Sequence, residues 1–535
     1  MWQHMVERIG SVVEVTDPDG ARLGALRPRA RPGVALGTLF PGLRQGGATD
    51  VTGITLDARL VEPGDLFVGL PGRHHHGARF AGAAAQAGAM AVLTDPAGAG
   101  LAAAGGLPVA VVDDPRHAMA AAAAAIYGQP ARALTMHAVT GTNGKTTTTY
   151  LLEAALRAAG VVPGVVGTIG FRLDGQDLGG ARTTVTTPES PELQSLLAYL
   201  REGGATAALM EVSSHALVLG RADAIVFDVA AFTNFGTDHL DFHGDLESYF
   251  EAKASLFTPE RTRHAVLNLD DPRGRLLRDR LAERADVPVT TVGLGGDADV
   301  HPLGADRLER GRTRLRLSVR GQVVEAWLGL PGDHNVRNAL TALAMVAVTG
   351  GDVAAAAGGL ADATVPGRMQ RVDLGDGAPV VFVDFAHTPQ AVTAALHAVR
   401  DSVEPGGRLV AVLGCGGDRD AAKRAPMGAL AASAADVVVV TDDNPRSEDP
   451  AVIRRAVLDG AVATARTRGE PVEVVDGGDR RSALGAALRL AGPGGVVAVL
   501  GKGHESGQEI AGRVLPFADP AVVREEWARL QGSRR

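Results

Sequence analysis

A single cysteine, Cys415, in 535 residues leaves no disulfide framework and points to a reducing compartment. No stretch stays apolar over the roughly 18 residues that a bilayer-spanning helix needs. The opening MWQHMVERIGSVVEVTDPDG has no unbroken apolar core of signal-peptide length, so a cytoplasmic location is expected. There is no basic cluster either: 53 Lys and Arg are scattered among 61 Asp and Glu, net charge −8, which argues against a nucleic-acid footprint. Aromatics are only 4% beside abundant Ala and Gly; this reads as compositional bias and supports no functional statement. What is present is 45% hydrophobic and 21% charged residues, enough to bury cores, with a length that suggests three or four domains.

Residues 1–47 read as a lead-in, with RPRARPGVALG as a loose stretch. From 48 to 133, short strands (AVLTD, VAVVDD) alternate with Ala-rich helices. One of these helices, PRHAMAAAAAAIYG, has Asp114 as its N-cap, Pro115 at its first position and Gly128 at its end. QPARALT is a plausible linker. A unit over 134–365 alternates strands and helices, and its RTRLRLSVRGQVVEAWL reads as a hairpin. Over 366–535, the apolar strands VVFVD, RLVAVLG, DVVVV and GVVAVLG alternate with helices, which means a parallel sheet covered on both faces. Ligands of such sheets sit at the carboxyl ends of the strands. Here those ends are DFAHTP, GCGGDRD, TDDNPR and GKGHE. The third offers both signs of charge within a few residues, as a surface loop could and a pocket for a zwitterion must.

HAVTGTNGKTTTTYLLEAALRAAG is a strand, a Gly-rich turn and a helix closing at Gly160. The turn Gly141-Thr142-Asn143-Gly144-Lys145-Thr146-Thr147 is a phosphate loop. Its glycines let backbone N–H groups approach phosphate oxygens, and the helix N-terminus adds positive charge. Lys145 can reach the terminal phosphates of ATP, and Thr146 is placed to ligate Mg²⁺. Val139 stands where the general pattern has its first glycine.

The variant TGTNGKTT resembles the ATP loop of the Mur ligase family, the amide-forming enzymes of peptidoglycan synthesis. MEVSSHAL, TNFGTDHLDFHGDLESYFEAKASLF, GDHNVRNALTA, VPGRMQRV, VDFAHTP, GCGGDRD, TDDNPR and GKGHE extend the resemblance over nearly the whole chain beyond residue 50. It implies an α/β protein of three domains: a UDP-substrate domain (48–133), a P-loop domain with a central parallel or mixed sheet (134–365), and a Rossmann-like domain for the incoming amino acid (366–535). It implies Mg²⁺ ligation by Glu211 and His239 beside Thr146, and carbamylation of Lys253 by CO₂. Arg368 and Asp384 match positions near the ATP, with His387 behind them. Leu56, Ala58, Arg73, His74, Thr186, Thr187, Ser213 and Arg221 match residues that hold the UDP-muramoyl-dipeptide, Arg221 as a fork for phosphate or carboxylate. Three positions depart from the family: Ala58 replaces a serine, Phe385 a tyrosine, and Pro520 an arginine. The run His74-His75-His76 resembles a metal cluster, but consecutive residues do not face one ion well. Cys415 has no activating partner.

Among the members, the resemblance points to the one that joins meso-diaminopimelate to UDP-N-acetylmuramoyl-L-alanyl-D-glutamate through an acyl phosphate; a monomer is expected. Asp443, Asn444, Pro445 and Arg446 match the diaminopimelate signature, and Arg419, Gly501 and Glu505 its other contacts. A guanidinium forks onto a carboxylate, so Arg446 is expected to select for the distal carboxylate that lysine lacks, and to stay unpaired when lysine is bound. Ligation of L-lysine or another amino acid, a folylpolyglutamate-synthetase-like ligase, and a regulatory ATPase are the alternatives.

Overall fold

The computed structural model describes residues 26–532 except 44, 73, 180–184, 308–312 and 376, and only the backbone of 305–307. The chain divides into two compact units: 1–303 with 317–324 and 337–359, and 304–316 with 325–336 and 360–535. Among the described residues, no helix is long and apolar enough to cross a membrane.

Part of the expected lead-in is structured. Val34–Ala35 pairs antiparallel with Asp50–Val51, and Leu36 is fully buried among Val51, Ile54 and Leu66. Burying one such leucine is worth about 1.5–3 kcal/mol. Gly53–Thr55, Asp65–Gly69, Ala91–Thr94 and Val109–Val111 follow as a four-stranded parallel sheet in chain order. The helix Pro115–Ile126 starts as expected: Asp114 accepts hydrogen bonds from the N–H groups of Arg116 and His117, and Gly128 beyond the end has φ +70°. The stretch read as a linker contains a short 3-10 helix, Pro130–Ala133.

The P-loop strand, Thr135–Thr140, lies between Ala207–Glu211 and Val229–Phe232, all parallel. The sheet continues through Ala265–Asn268 and Val289–Val292 on one side, and through Pro163–Gly167 to antiparallel Gly170–Leu173 on the other. Every residue of Ala207–Glu211 and Val229–Phe232 is buried, as a sheet covered on both faces requires. The hairpin forms with Arg320 (φ +50°) and Gly321 (φ +86°) as its turn, both left-handed, the twist that suits a two-residue hairpin.

The last sheet has the order Gln370–Val372, Val380–Asp384, Val496–Leu500, Leu409–Leu413, Val437–Thr441, Glu473–Gly478. All are parallel except the first, an antiparallel edge. The four expected strands are its centre. Glu473–Gly478, the other edge, is half-exposed and ends in two glycines, so it lacks the apolar run that marks its neighbours.

Candidate functional site

Glu211 pairs with Val139 in the register of the central sheet, so its carboxylate emerges beside the start of the phosphate loop. It accepts hydrogen bonds from Thr146 Oγ1 at 2.8 Å, Thr168 Oγ1 at 2.9 Å and Thr168 N at 3.0 Å, and is buried. Glycine is required at both ends of the loop. Gly141 has φ +144° and a Cβ there would lie 2.0 Å from Thr233 Oγ1; Gly144 has φ +85° and a Cβ would lie 2.6 Å from Asn338 Oδ1. Asn234 pins the loop from the adjacent strand end: its carbonyl accepts from Thr142 N and its Oδ1 from Asn143 N at 2.9 Å. Thr147 is buried in the first turn of the helix Lys145–Ala158.

Lys145 Nζ donates to the carbonyls of Gly141 at 2.8 Å and Thr142 at 3.0 Å. Lys253 Nζ donates to the same Gly141 carbonyl at 2.9 Å and lies 4.5 Å from the centre of the Tyr249 ring. Lys253 belongs to the helix Leu246–Ala254 and is 1% exposed, so it is not the wet lysine an amphipathic helix usually carries. Burial first, and the cation of Lys145 second, hold its amine well below the usual lysine range. His239 opens a short helix, Leu240–His243, in a left-handed conformation (φ +52°). Its ring stands 4.7 Å from His215 and 6.0 Å from Tyr249. Burial lowers its pKa; Asp238 opposes the shift, and Lys145 and Lys253 add to it. The second histidine of that stretch, His243, is instead bonded to Ser214 Oγ at 2.9 Å.

Thr146 and Glu211 thus bring a hydroxyl and a carboxylate together at the loop. These are hard oxygen donors of the kind Mg²⁺ takes alongside phosphate oxygens and water. Among the described residues no group of three His, Cys, Asp or Glu could hold a metal, and an ion shared with a phosphate needs only one or two protein ligands. The residues present fit Mg²⁺.

Thr187 Oγ1 donates to the Glu211 carbonyl at 2.8 Å and accepts from Ser213 N at 3.2 Å, and Thr186 Oγ1 accepts from Thr168 Oγ1 at 3.1 Å. Ser213 also caps the helix Ser214–Val218. Arg221 is not a free fork: it donates to Glu189 Oε1 at 2.9 Å and the Thr187 carbonyl at 3.2 Å. Half-buried Glu192 is raised to about 7 by burial and by Glu189 and Asp57, against Arg221. Leu56 and Ala58 pack against apolar clusters. His74 is exposed, while His76 is the engaged histidine, bonded to Asp95 Oδ1 at 2.9 Å. Arg73 lies outside the described residues.

The four motifs of the last unit do share one sheet edge. Asp384 accepts from Met369 N at 2.7 Å and Ala386 N at 2.9 Å, and Arg368 stacks on Phe385 at 4.6 Å. Burial raises the Asp384 carboxyl against the pull of Arg368. Asn444 links two of the motifs, its Nδ2 donating to Glu505 Oε2 at 2.8 Å and its Oδ1 accepting from Glu509 N at 2.9 Å. Buried Lys502 donates to Glu505 Oε2 at 2.9 Å and to the Gly507 carbonyl at 2.6 Å. A Cβ at Gly501 (φ +110°) would lie 2.4 Å from Asp443 Oδ2, and one at Gly417 1.9 Å from the Pro445 carbonyl. Burial raises Asp443, against Arg480 and Lys502. Arg446 and Arg419 converge on Gly416, and Arg419 is exposed.

The expectation that Arg446 stays unpaired without a distal carboxylate is corrected here. Its Nη1 donates to the Gly417 carbonyl at 2.7 Å and its Nε lies 3.3 Å from Glu509 Oε2. Its backbone is left-handed (φ +53°) and is held there by hydrogen bonds to Glu509 O and from Ala511 N. A non-glycine residue at such a φ persists where its surroundings over-determine it.

Family profiles agree with this architecture. The Mur ligase family catalytic domain matches residues 50–127, the Mur ligase middle domain 139–346, and the Mur ligase glutamate ligase domain 367–503. A Streptomyces coelicolor protein named UDP-N-acetylmuramoyl-L-alanyl-D-glutamate--2,6-diaminopimelate ligase is 50% identical over 91% of this chain and 94% of its own. The chain belongs to the Mur ligase family. A solved structure bearing the same enzyme name is 31% identical, with a TM-score of 0.67 over 94% of this chain and all of its own. The Mycobacterium tuberculosis folylpolyglutamate synthase complexed with ADP and AMPPCP, 23% identical with a TM-score of 0.56 over 78% of this chain and 95% of its own, shares the fold.

Within this Mur ligase, sequence reasoning did not single out Thr168, Asn234, Tyr249, Lys502 or Glu509. Asn234, Tyr249 and Lys502 stand inside quoted motifs, where only packing reveals their work. At the departures, Phe385 sits between His387 at 4.7 Å and His504 at 5.2 Å. Pro520 occupies the first turn of Asp519–Gly532, where proline is tolerated.

Proposed function

We propose that this Mur ligase is an ATP-dependent ligase that joins meso-diaminopimelate to UDP-N-acetylmuramoyl-L-alanyl-D-glutamate. The observation that carries the choice of amino acid is Arg446. It is a guanidinium beyond the carboxyl end of a parallel strand, with the Glu509 carboxylate beside it and no hydrogen bond from its Nη2 to a described residue. A site with both signs of charge suits a distal ammonium–carboxylate pair, and its cation disfavours lysine, which brings only an ammonium.

In this reading, loop 141–147 binds the phosphates of ATP through backbone N–H groups and Lys145, which turns from the Gly141 and Thr142 carbonyls toward the transferred group. Thr146, Glu211 and His239 would hold Mg²⁺, which would supply neutralisation of phosphate charge. Thr186, Thr187, Ser213 and Arg221 position the dipeptide; Leu56, Ala58, Arg73 and His74 belong to the nucleotide end. The D-Glu γ-carboxylate attacks the γ-phosphorus, giving an acyl phosphate and ADP. The diaminopimelate amine then attacks the acyl carbon, phosphate leaves, and the amine proton passes to solvent. Arg368 and Asp384 serve the ATP side, and Arg419, Asn444, Pro445 and Gly501 shape the amino-acid side. Lys253, whose pKa burial lowers, is suited to add CO₂ from its neutral form: the nitrogen bonds to carbon and loses a proton, leaving a carbamate anion in place of the amine. The domain boundaries 48–133, 134–365 and 366–535, a monomeric state and a cytoplasmic location belong to the same proposal.

The test is mass spectrometry of the product formed from ATP, the UDP-dipeptide and each candidate amino acid. A product one diaminopimelate residue heavier, formed only with all three substrates and lost in Lys145→Ala, is expected. Preferential use of lysine, or phosphate release that needs no amino acid, overturns the reading.

A further inference from the structure

We infer that Glu509 is a specificity residue of the amino-acid site: it forms with Arg446 a two-signed clamp that admits a distal zwitterion and turns away a distal carboxylate lacking its ammonium. This rests on the diaminopimelate reading above. Glu509 lies in the strand Gly507–Ile510, which pairs with Arg513–Pro516 as a hairpin. The hairpin is stitched to the Asp443–Arg446 loop by four hydrogen bonds, one of them from Gln508 Nε2 to the Asp443 carbonyl at 2.8 Å. Arg446 N donates to Glu509 O at 3.0 Å, Glu509 N donates to Asn444 Oδ1 at 2.9 Å, and Ala511 N donates to Arg446 O at 2.7 Å. The backbone therefore fixes where the Glu509 side chain starts, and its carboxylate stands 3.3 Å from Arg446 Nε.

The other acids near the loop are already engaged: Asp418 accepts from Ser447 N at 3.1 Å and from Ser447 Oγ at 2.7 Å. Glu505 accepts from Lys502 Nζ at 2.9 Å and from Asn444 Nδ2 at 2.8 Å. Half-buried Asp443 feels the cations of Arg480 and Lys502, which oppose the rise that burial causes in its pKa. Among the described residues Glu509 has Arg446 as its only side-chain partner, and its side chain is 40% exposed, so it is a carboxylate open to an arriving ammonium. The guanidinium has Nη1 on Gly417 O and Nε at Glu509, which leaves Nη2 for a substrate carboxylate. An ammonium on the same carbon as that carboxylate then falls toward Glu509. A ligand with the carboxylate alone sets a second anion on the guanidinium that Glu509 already shares, with no ammonium to offset the repulsion, and specificity of this kind works through the repelled competitor. Arg446 rejects lysine by the same logic with the signs reversed.

The experiment measures kcat/KM of full-length enzyme for meso-diaminopimelate, for 2-aminopimelate (the same chain without the distal ammonium) and for L-lysine. It compares wild type with Glu509→Gln and with Glu509→Thr, a second neutral residue suited to a strand. Because Glu509 is partly exposed, each variant is expected to shrink the preference for diaminopimelate over 2-aminopimelate by about tenfold. Lysine should stay a poor substrate and the KM for ATP should not change. An unchanged preference in a folded variant overturns the inference, even where KM for both amino acids rises, because that result makes Glu509 a mere prop for Arg446. If wild type forms no diaminopimelate product, the underlying reading fails instead, which the wild-type column alone shows.

Discussion

Two lysines donate to one carbonyl at Gly141, and only one of them can rest there comfortably as a cation. Lys253 is the strained member: the fold depresses its pKa. Folding therefore disfavours its ammonium, and its contribution to stability worsens as pH falls from the free-lysine range, about 10.4, toward the depressed folded value. Lys253→Met should raise the stability of the bicarbonate-free enzyme by about 0.5–2 kcal/mol while abolishing ligation, the trade expected where function holds a strained group. Gly141 O keeps Lys145, and a methionine sulfur can sit against Tyr249. Urea midpoints at pH 7 and pH 10 check this: the gain should be larger at pH 7, and a loss of stability at both would contradict it. At the amino-acid end, Gly501→Ala places a Cβ 2.4 Å from Asp443 Oδ2 at a φ of +110°. It should raise the KM for diaminopimelate at least tenfold, about 1.4 kcal/mol, and leave the KM for ATP alone; equal effects on both would show a general loss of fold. The Arg446 pairing also tempers its own selectivity. With a protein carbonyl and Glu509 already on the guanidinium, wild type should prefer diaminopimelate to lysine by roughly 10- to 150-fold, the worth of one hydrogen bond to a charged group. Competition kinetics that give equal use of the two would remove Arg446 as the selector.

Elements show what a linear reading can see. The phosphate loop was legible because strand, glycines and helix are contiguous and each is a local signal. The four parallel strands were legible as apolar runs, and Asp449 both ends the charged loop and caps the helix Pro450–Thr467. Glu211 and Lys253 needed the family resemblance, since they reach the loop only through sheet order and helix packing, 65 and 112 residues away in contacts that no spacing encodes. The two-residue strand Val34–Ala35 and the one-turn helix Leu36–Leu39 after it were too short to register, and Glu473–Gly478 was too polar. Glu509 was invisible because its role depends on a hairpin bonding to a distant loop. Elements also carry a prediction of their own. The helices Arg424–Ala434 and Pro450–Thr467 meet through glycines: a Cβ at Gly428 would lie 2.0 Å from Val457 O, and one at Gly460 2.0 Å from Ala425 O. Gly428→Ala should push them apart at a cost of about 1–3 kcal/mol, seen as a lower urea midpoint. The loops carrying Arg419 and Arg446 precede these two helices, so the KM for diaminopimelate should rise with it. An unchanged midpoint would mean that the helices separate without strain.

At the scale of the molecule, the nucleotide loop and the charged amino-acid pocket lie in different compact units, each with its own core. Large chains with separate cores need not unfold in one step, and a ligand stabilises only the structure that binds it, by about 2.7 kcal/mol at a hundredfold excess over Kd. Calorimetry should therefore resolve two transitions, and the ligands should divide them. A non-hydrolysable ATP analogue with Mg²⁺ should raise most the transition of the unit holding residues 141–147, with a smaller rise in the unit holding Arg368 and Asp384, and meso-diaminopimelate should raise only the latter, which also holds Arg446. The variants give the double dissociation. Lys145→Ala should erase the nucleotide shift and leave the diaminopimelate shift, and Arg446→Ala should do the reverse. Each substitution thereby serves as the folding control for the other, because the shift it spares can only come from an intact site. A single transition moved by both ligands, or a Lys145→Ala protein that loses both shifts, would mean that the two sites are not energetically separate and that the division of labour drawn from the sheet edges is wrong.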